Sequence, residues 1–256
     1  MKLKIQENGL SVSKLTLTAI LCVFGLLSMI FVRFTTNATF SYFYCLATVP
    51  FALLPLVLTI LLKWRFSFLF YAFFSAYTLG PILGAVYNVY YLTTWWDDLL
   101  HVMAGTVFAV VGAYLAVALN KNQKTPYLLS ALFGVLFSMG VALVWEFFEF
   151  SSDVVLNSDM QADTIINTVI TKVNRTDGSV QVIENITDTV VNGQSLGISG
   201  YLDIGLIDTM TDMFVETLGA ILYFVYALID RDRHPLISRF QRAKANKNDA
   251  KSVDLA

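Results

Sequence analysis

Six apolar runs, each close to the length that a helix needs to cross a bilayer, constrain the fold of this chain most strongly. A membrane-spanning helix requires roughly 20 predominantly apolar residues. Because 56% of the residues are hydrophobic and only 14% are charged, the composition excludes an ordinary soluble domain. The sequence therefore predicts an all-α integral membrane protein with six transmembrane helices. The runs cover residues 15–34, 42–62, 67–91, 98–119, 127–150 and 206–229.

Positive charges occupy every second connection between these runs. Lys and Arg accumulate on the cytoplasmic side of membrane proteins, so the alternation predicts that both termini lie in the cytoplasm. The basic residues are not interleaved with exposed aromatic residues, which argues against nucleic acid as a partner and leaves the lipid bilayer. They are Lys2, Lys4 and Lys14; Lys63 and Arg65; Lys121 and Lys124; and Arg231, Arg233, Arg239, Arg242, Lys244 and Lys247, with Arg33 as an exception at the opposite side.

One connection, residues 151–205, is too long for a turn and too polar for a bilayer. Branched apolar and polar residues partly alternate in TIINTVITKV and SVQVIENITDTVV, and the turn-rich stretch NRTDG separates the two. This pattern predicts a small β-hairpin outside the membrane. The predicted organisation is helices 1–5 in residues 1–150, an extracytoplasmic insertion in 151–205, helix 6 in 206–230 and a basic cytoplasmic tail in 231–256.

Acidic and histidine side chains stand at one end of three of the helices. An ionisable side chain at mid-bilayer costs on the order of 2.5 to 3.5 kcal/mol, so several together need mutual partners, a metal or a wet cavity. Residues three or four apart share one face of a helix, and the predicted topology puts all three ends in the outer leaflet. We therefore expect a polar site there. Its candidates are Asp97, Asp98 and His101; Glu146, Glu149 and Asp153; and Asp208, Asp212 and Glu216.

These residue types suit a divalent metal ion. Carboxylate oxygens favour Mg²⁺, Mn²⁺ or Ca²⁺, and an added imidazole extends the choice to Zn²⁺ or iron. Without a metal, crowded carboxylates share protons, and the same residues can also serve as interhelical hydrogen bonds or helix caps. The expected metal ligands are Asp97, His101, Glu146, Glu149, Asp208 and Asp212, and the expected catalytic acid/base residues are Asp97, His101, Glu146 and Glu149.

The three motifs resemble those of the YjdF-type family of uncharacterised bacterial inner-membrane proteins and, more distantly, the VanZ-like membrane proteins. The resemblance covers about the last three helices and implies a bacterial cytoplasmic membrane location, the fold and the site, but no reaction. The matching residues are Trp96, Asp97, His101 and Gly105; Glu146 and Glu149; and Asp208, Asp212, Met213, Leu218, Gly219 and Ala220.

Three functions are compatible with this sequence. The leading hypothesis is a metal-dependent membrane hydrolase that acts on a lipid-linked or envelope substrate. The alternatives are a proton-coupled transporter and a non-enzymatic accessory protein in which the polar residues form a structural network. The apolar faces of the first two helices leave an oligomer open as well.

Overall fold

The computed structural model describes residues 10–35, 39–61, 66–120, 125–173 and 175–229. The predicted basic tail lies outside the described residues, and so do the basic residues of the second-to-third and fourth-to-fifth connections. Of the predicted positive charges, Lys14 and Arg33 lie within the described residues.

Helices account for most of the described chain, and six of them are long and apolar enough to cross a membrane. These six contain between 19 and 30 residues, so the predicted all-α membrane fold with six spans is confirmed. The helices are α1 (Val12–Phe34), α2 (Thr39–Leu61), α3 (Phe68–Val86), the short α4 (Val89–Leu92), α5 (Trp96–Leu119), α6 (Tyr127–Leu156) and α7 (Leu206–Ile229).

The third apolar run is broken where the sequence predicts a continuous helix. Helix α3 ends at Val86, and Asn88 then takes a left-handed conformation with φ 62° and ψ 23°. Asn tolerates this region better than most residues, so it allows a sharp change of direction. A hydropathy pattern does not reveal such a break, because the residues on both sides remain apolar.

Helix α6 continues six residues beyond the predicted start of the insertion. The hydroxyl groups of Ser151 and Ser152 donate hydrogen bonds to the carbonyl oxygens of Phe147 and Phe148, one turn earlier. A serine hydroxyl inside a helix can thereby form its hydrogen bond within the same helix. The polar residues that suggested an end to the helix are thus accommodated within it, and the insertion begins at residue 157.

The insertion contains three separate antiparallel strand pairs. The predicted hairpin is confirmed: Val169 pairs with Ile183 and Thr171 with Gln181. The first and last strands also pair, with Thr164 opposite Asp203, which brings the two ends of the insertion together. The strands are β1 (Thr164–Ile166), β2 (Val169–Thr171), β3 (Gln181–Ile183), β4 (Val190–Val191), β5 (Gln194–Ser195) and β6 (Tyr201–Asp203).

The chain divides into two compact units. The first comprises the residues up to Met139 and those from Val215 onward, and the second is Gly140–Phe214. The first unit therefore holds α1 to α5, the beginning of α6 and most of α7. The second holds the end of α6, the insertion and the beginning of α7.

Lys14 is buried in the first unit although it belongs to the basic N-terminal flank. Its ammonium nitrogen donates a hydrogen bond to the carbonyl oxygen of Phe66 at 2.8 Å and lies 5.8 Å from the centre of the Tyr71 ring. The hydroxyl groups of Thr18 and Tyr71 are 2.6 Å apart. These contacts tie the start of α1 to the segment that leads into α3.

Glycines allow α5 and α7 to approach closely within the first unit. A Cβ atom on Gly105 would lie 1.9 Å from the carbonyl oxygen of Glu216, and one on Gly219 would lie 2.1 Å from that of Val102. The hydroxyl of Thr106 donates to the carbonyl oxygen of Gly219 at 3.1 Å. Small residues at a helix interface permit such backbone contacts in membranes.

We expect Gly105→Ala to destabilise the protein by about 1 to 3 kcal/mol, because the added methyl group collides with backbone rather than with a movable side chain. The measurement is the unfolding midpoint of the purified protein in detergent. Gly140→Ala is the matched control, since a Cβ there meets nothing within 4 Å and alanine favours a helix. Equal midpoints for the two variants would contradict the proposed close contact.

Candidate functional site

In the first unit, the imidazole of His101 lies between two carboxylates. Its Nε2 atom is 4.0 Å from Oδ1 of Asp97, one turn earlier on α5, and its Nδ1 atom is 3.8 Å from Oε2 of Glu216 on α7. Both distances exceed that of a direct hydrogen bond but fall within the range of an ion pair. His101 and Glu216 are buried, whereas the Asp97 side chain is 42% exposed. The imidazole can therefore interact with a carboxylate on each side.

The carboxylate of Glu216 also faces a buried serine. Ser138 donates a hydrogen bond to the carbonyl oxygen of Gly105 at 3.0 Å, and its hydroxyl lies 3.4 Å from Oε1 of Glu216. The side chain of Ser138 therefore lies at the close contact between α5 and α7. Because Gly105 lacks a Cβ atom, the backbone of Glu216 can approach α5, which places its carboxylate near His101.

In the second unit, three carboxylates converge. Glu146 and Glu149 from α6 and Asp212 from α7 each offer an oxygen, and these oxygens all lie within 4.8 Å of one another. All three residues are buried, with exposed fractions of 3 to 7%. We call these three residues the acidic cluster. Since three buried negative charges repel one another strongly, such a group requires protons, hydrogen-bond donors or a cation.

Trp145 and Gln161 are among the described side chains of the second unit that donate hydrogen bonds to the acidic cluster. The indole nitrogen of Trp145 donates to Oε1 of Glu149 at 2.8 Å, one helical turn away. The carboxamide nitrogen of Gln161 lies 3.5 Å from Oε2 of Glu146 and also donates to the hydroxyl of Thr209. A tryptophan and a residue of the insertion therefore orient the two glutamates.

Two of the predicted polar residues bind a loop. Asp153 accepts hydrogen bonds from the hydroxyl of Ser158 and from the backbone N–H groups of Met160 and Gln161, at 2.7 to 2.9 Å. Asp208 accepts one from the backbone N–H of Ala162 at 2.8 Å. In this structure the carboxylate of Asp208 accepts a hydrogen bond from the loop. A role of Asp208 as a metal ligand therefore stays a prediction.

The same loop carries additional negative charge. Partial burial, and then the neighbouring carboxylates of Asp163 and Asp153, raise the pKa of Asp159 above its usual value. Several carboxylates at one end of α6 produce a negative potential, which raises the local concentration of cations. The surroundings of this loop thus favour the approach of a cation.

The structure brings the predicted residues together in two groups. Asp97 and His101 lie together in the first unit, and Glu146, Glu149 and Asp212 lie together in the second. That all the predicted ligands share one metal stays a prediction.

Three residues near these groups are not among the ligands predicted from the sequence. Glu216 could have been included, since it continues the series of acidic residues one turn after Asp212. Ser138 lies in an apolar run, and Gln161 reaches Glu146 only because its loop folds back. No rule of sequence spacing predicts that Ser138 and Gln161 lie near these groups.

Comparison with known proteins places the chain in a family. No curated protein and no solved structure shows significant similarity to it. Residues 15–233 match the family described as "Predicted membrane protein (DUF2238)". Because this match covers most of the 256 residues and includes both groups of ionisable residues, the chain belongs to this family of predicted membrane proteins.

Proposed function

We propose that this protein is a metal-dependent membrane enzyme that binds a divalent cation at the acidic cluster. The convergence of three buried carboxylate oxygens within 4.8 Å carries the proposal. Two oxygen ligands of one Mg²⁺ lie at most about 4.2 Å apart, and those of the larger Ca²⁺ about 5 Å, given ordinary metal–oxygen distances. A single cation therefore fits after small side-chain movements.

The chemistry of the donors favours Mg²⁺ or Mn²⁺ over Zn²⁺. Within the second unit, Glu146, Glu149 and Asp212 supply oxygen atoms, whereas Zn²⁺ sites usually include nitrogen or sulfur ligands. A bound divalent cation would supply Lewis-acid chemistry and lower the pKa of a water molecule on it. Trp145 would hold Glu149 in place through its indole N–H, and Gln161 would do the same for Glu146.

The position of the acidic cluster supports a substrate with both a lipid and a polar part. Glu146 lies 19 residues after the start of α6 at Tyr127, which corresponds to about 28 Å along the helix. The hydrocarbon core is about 30 Å thick, so Glu146 lies near its boundary if α6 enters the core at Tyr127. A bond between a lipid tail and a polar head group lies at the same depth. We therefore propose a hydrolase of a lipid-linked or envelope substrate.

The roles of Asp97, His101 and Asp208 belong to this proposal as additional ligands or acid/base groups. We also propose that the protein is of the YjdF type, because this narrower family assignment depends on the same three motifs. His101→Gln tests the role of the imidazole separately from that of the carboxylates. A loss of activity with retained metal would assign His101 to acid/base chemistry, whereas a loss of metal would make it a ligand.

We expect the purified protein, supplied with Mn²⁺, to bind one ion per chain. Glu149→Gln and Asp212→Asn should weaken this binding at least tenfold, because each removes a negative ligand. Elemental analysis after removal of free metal measures the stoichiometry. The control is Glu184→Gln, which removes an exposed carboxylate of the insertion. Absence of metal from the unaltered protein after resupply would contradict the proposal.

Tryptophan fluorescence offers a second readout of the same binding event. Because the indole of Trp145 donates to Glu149, a cation on that carboxylate should change the emission of this residue. Trp145→Phe should weaken Mn²⁺ binding, and it should abolish the change in emission even at Mn²⁺ concentrations that elemental analysis shows to fill the site. A change that remains in Trp145→Phe would place the cation elsewhere.

A proton-coupled transporter is the second candidate, and the position of His101 between Asp97 and Glu216 favours it. Ionisable residues inside membrane helices often form proton relays. In proteoliposomes that contain a pH-sensitive dye, an imposed proton gradient should then dissipate faster with the unaltered protein than with His101→Gln. Equal rates for the two proteins would contradict this function.

Both termini are expected in the cytoplasm, on the opposite side to the insertion. To test this, Ser179→Cys, at an exposed site that follows the turn between β2 and β3, is combined with Cys22→Ala and Cys45→Ala. A membrane-impermeant maleimide should label it in intact bacterial cells. Lys124→Cys in the same background should react only after lysis. The reverse pattern would invert the topology.

A further inference from the structure

The loop that precedes β1 is held by carboxylates rather than by regular secondary structure. We call residues 158–162 the strap. Three hydrogen bonds join it to Asp153 near the end of α6, and one joins it to Asp208 at the beginning of α7. Three of the four donors are backbone N–H groups, at Met160, Gln161 and Ala162. The strap is thus fastened to both helices that carry the acidic cluster.

Backbone geometry at two points permits this path. Asn157, immediately after α6, has a positive φ of 52°, which turns the chain sharply into the strap. Gly205, immediately before α7, has φ 85°, and a Cβ atom on it would lie 2.6 Å from the Cβ of Gln161. The chain therefore uses a turn at one end and a glycine at the other to bring the strap against α7.

The strap places one side chain over the acidic cluster. Gln161 extends from the strap to Oε2 of Glu146 and to the hydroxyl of Thr209. Its backbone N–H is bound at the same time by Asp153 at 2.9 Å. Release of the carboxylate of Asp153 would therefore free the backbone that supports this contact with Glu146.

We propose that the strap is a movable cover, latched by Asp153 and Asp208, that controls access to Glu146 from the insertion side. Side-chain hydrogen bonds in a partly buried loop can open without unfolding either helix, because the helices keep their own backbone bonds. The passage of a cation or substrate through this cover depends on the proposed function. The latch itself does not, and it can be tested without any ligand.

Hydrogen exchange of the full-length protein in nanodiscs tests the latch directly. We expect the amides of Met160, Gln161 and Ala162 to be protected although they belong to no helix or strand. Asp153→Ala should raise exchange at least tenfold at the first two amides, and Asp208→Ala should do so at the third. Asp177→Ala is the control, since Asp177 accepts the backbone N–H of Ser179 in an exposed turn.

Thiol labelling tests whether the strap covers the residues beneath it. Thr209→Cys places a thiol where Gln161 makes its contact, in the background Cys22→Ala and Cys45→Ala. Asp153→Ala should increase the labelling rate of this thiol at least fivefold, and Asp177→Ala should leave it unchanged. The proposal is overturned if Asp153→Ala changes neither the labelling rate nor the exchange of the strap amides.

A metal-binding measurement then separates this proposal from the proposed function. If the strap is a cover, Asp153→Ala should increase both the association and the dissociation rate of Mn²⁺ at least fivefold relative to Asp163→Asn, which removes a neighbouring negative charge outside the strap. Unchanged rates in a variant with an opened strap would overturn control of access while leaving the metal site intact. If the unaltered protein binds no Mn²⁺, the proposed metal site fails, and the exchange and labelling results still decide whether the strap is a latched cover.

Discussion

The cost of burying ionisable side chains in apolar helices governs the polar interior of this protein. Ionisable side chains in this interior are buried, among them His101, Glu146, Glu149, Asp212 and Glu216. A buried charge is tolerated only with a compensating charge, hydrogen-bond donors, a proton or a metal. The close helix contacts, the position of the insertion and the choice of neighbouring side chains can all be understood as ways of meeting this requirement.

The buried ionisable side chains have different neighbours in the two units. In the first, an imidazole lies between two carboxylates, and the hydroxyl of Ser138 lies beside Glu216. In the second, three carboxylates converge, and the donors to Glu146 and Glu149 include a carboxamide and an indole, both neutral. Neutral donors reduce repulsion without removing charge. The proposed cation would add a positive charge to this group of oxygen ligands.

The sequence predicts those features that depend on regular periodicity. Helix length gives the six spans, and the spacing of three residues between Glu146 and Glu149 places them on one helix face. Features that depend on an irregular backbone are not predicted. The break at Asn88 is hidden in an apolar run, and the contact of Gln161 with Glu146 requires a loop to reverse its path. The same holds for Asp208: helical spacing predicts which face of α7 it occupies, but not that its carboxylate binds the backbone of Ala162.

Close packing and electrostatics are linked through the glycines of α5 and α7. The carbonyl oxygen of Glu216 occupies the space that a Cβ atom on Gly105 would need, while the carboxylate of the same residue faces His101. A substitution that separates the two helices would therefore lengthen the distance of 3.8 Å between imidazole and carboxylate. Gly105 therefore determines both the packing of α5 against α7 and the position of the Glu216 carboxylate beside His101, so its substitution should affect the candidate site as well as the stability.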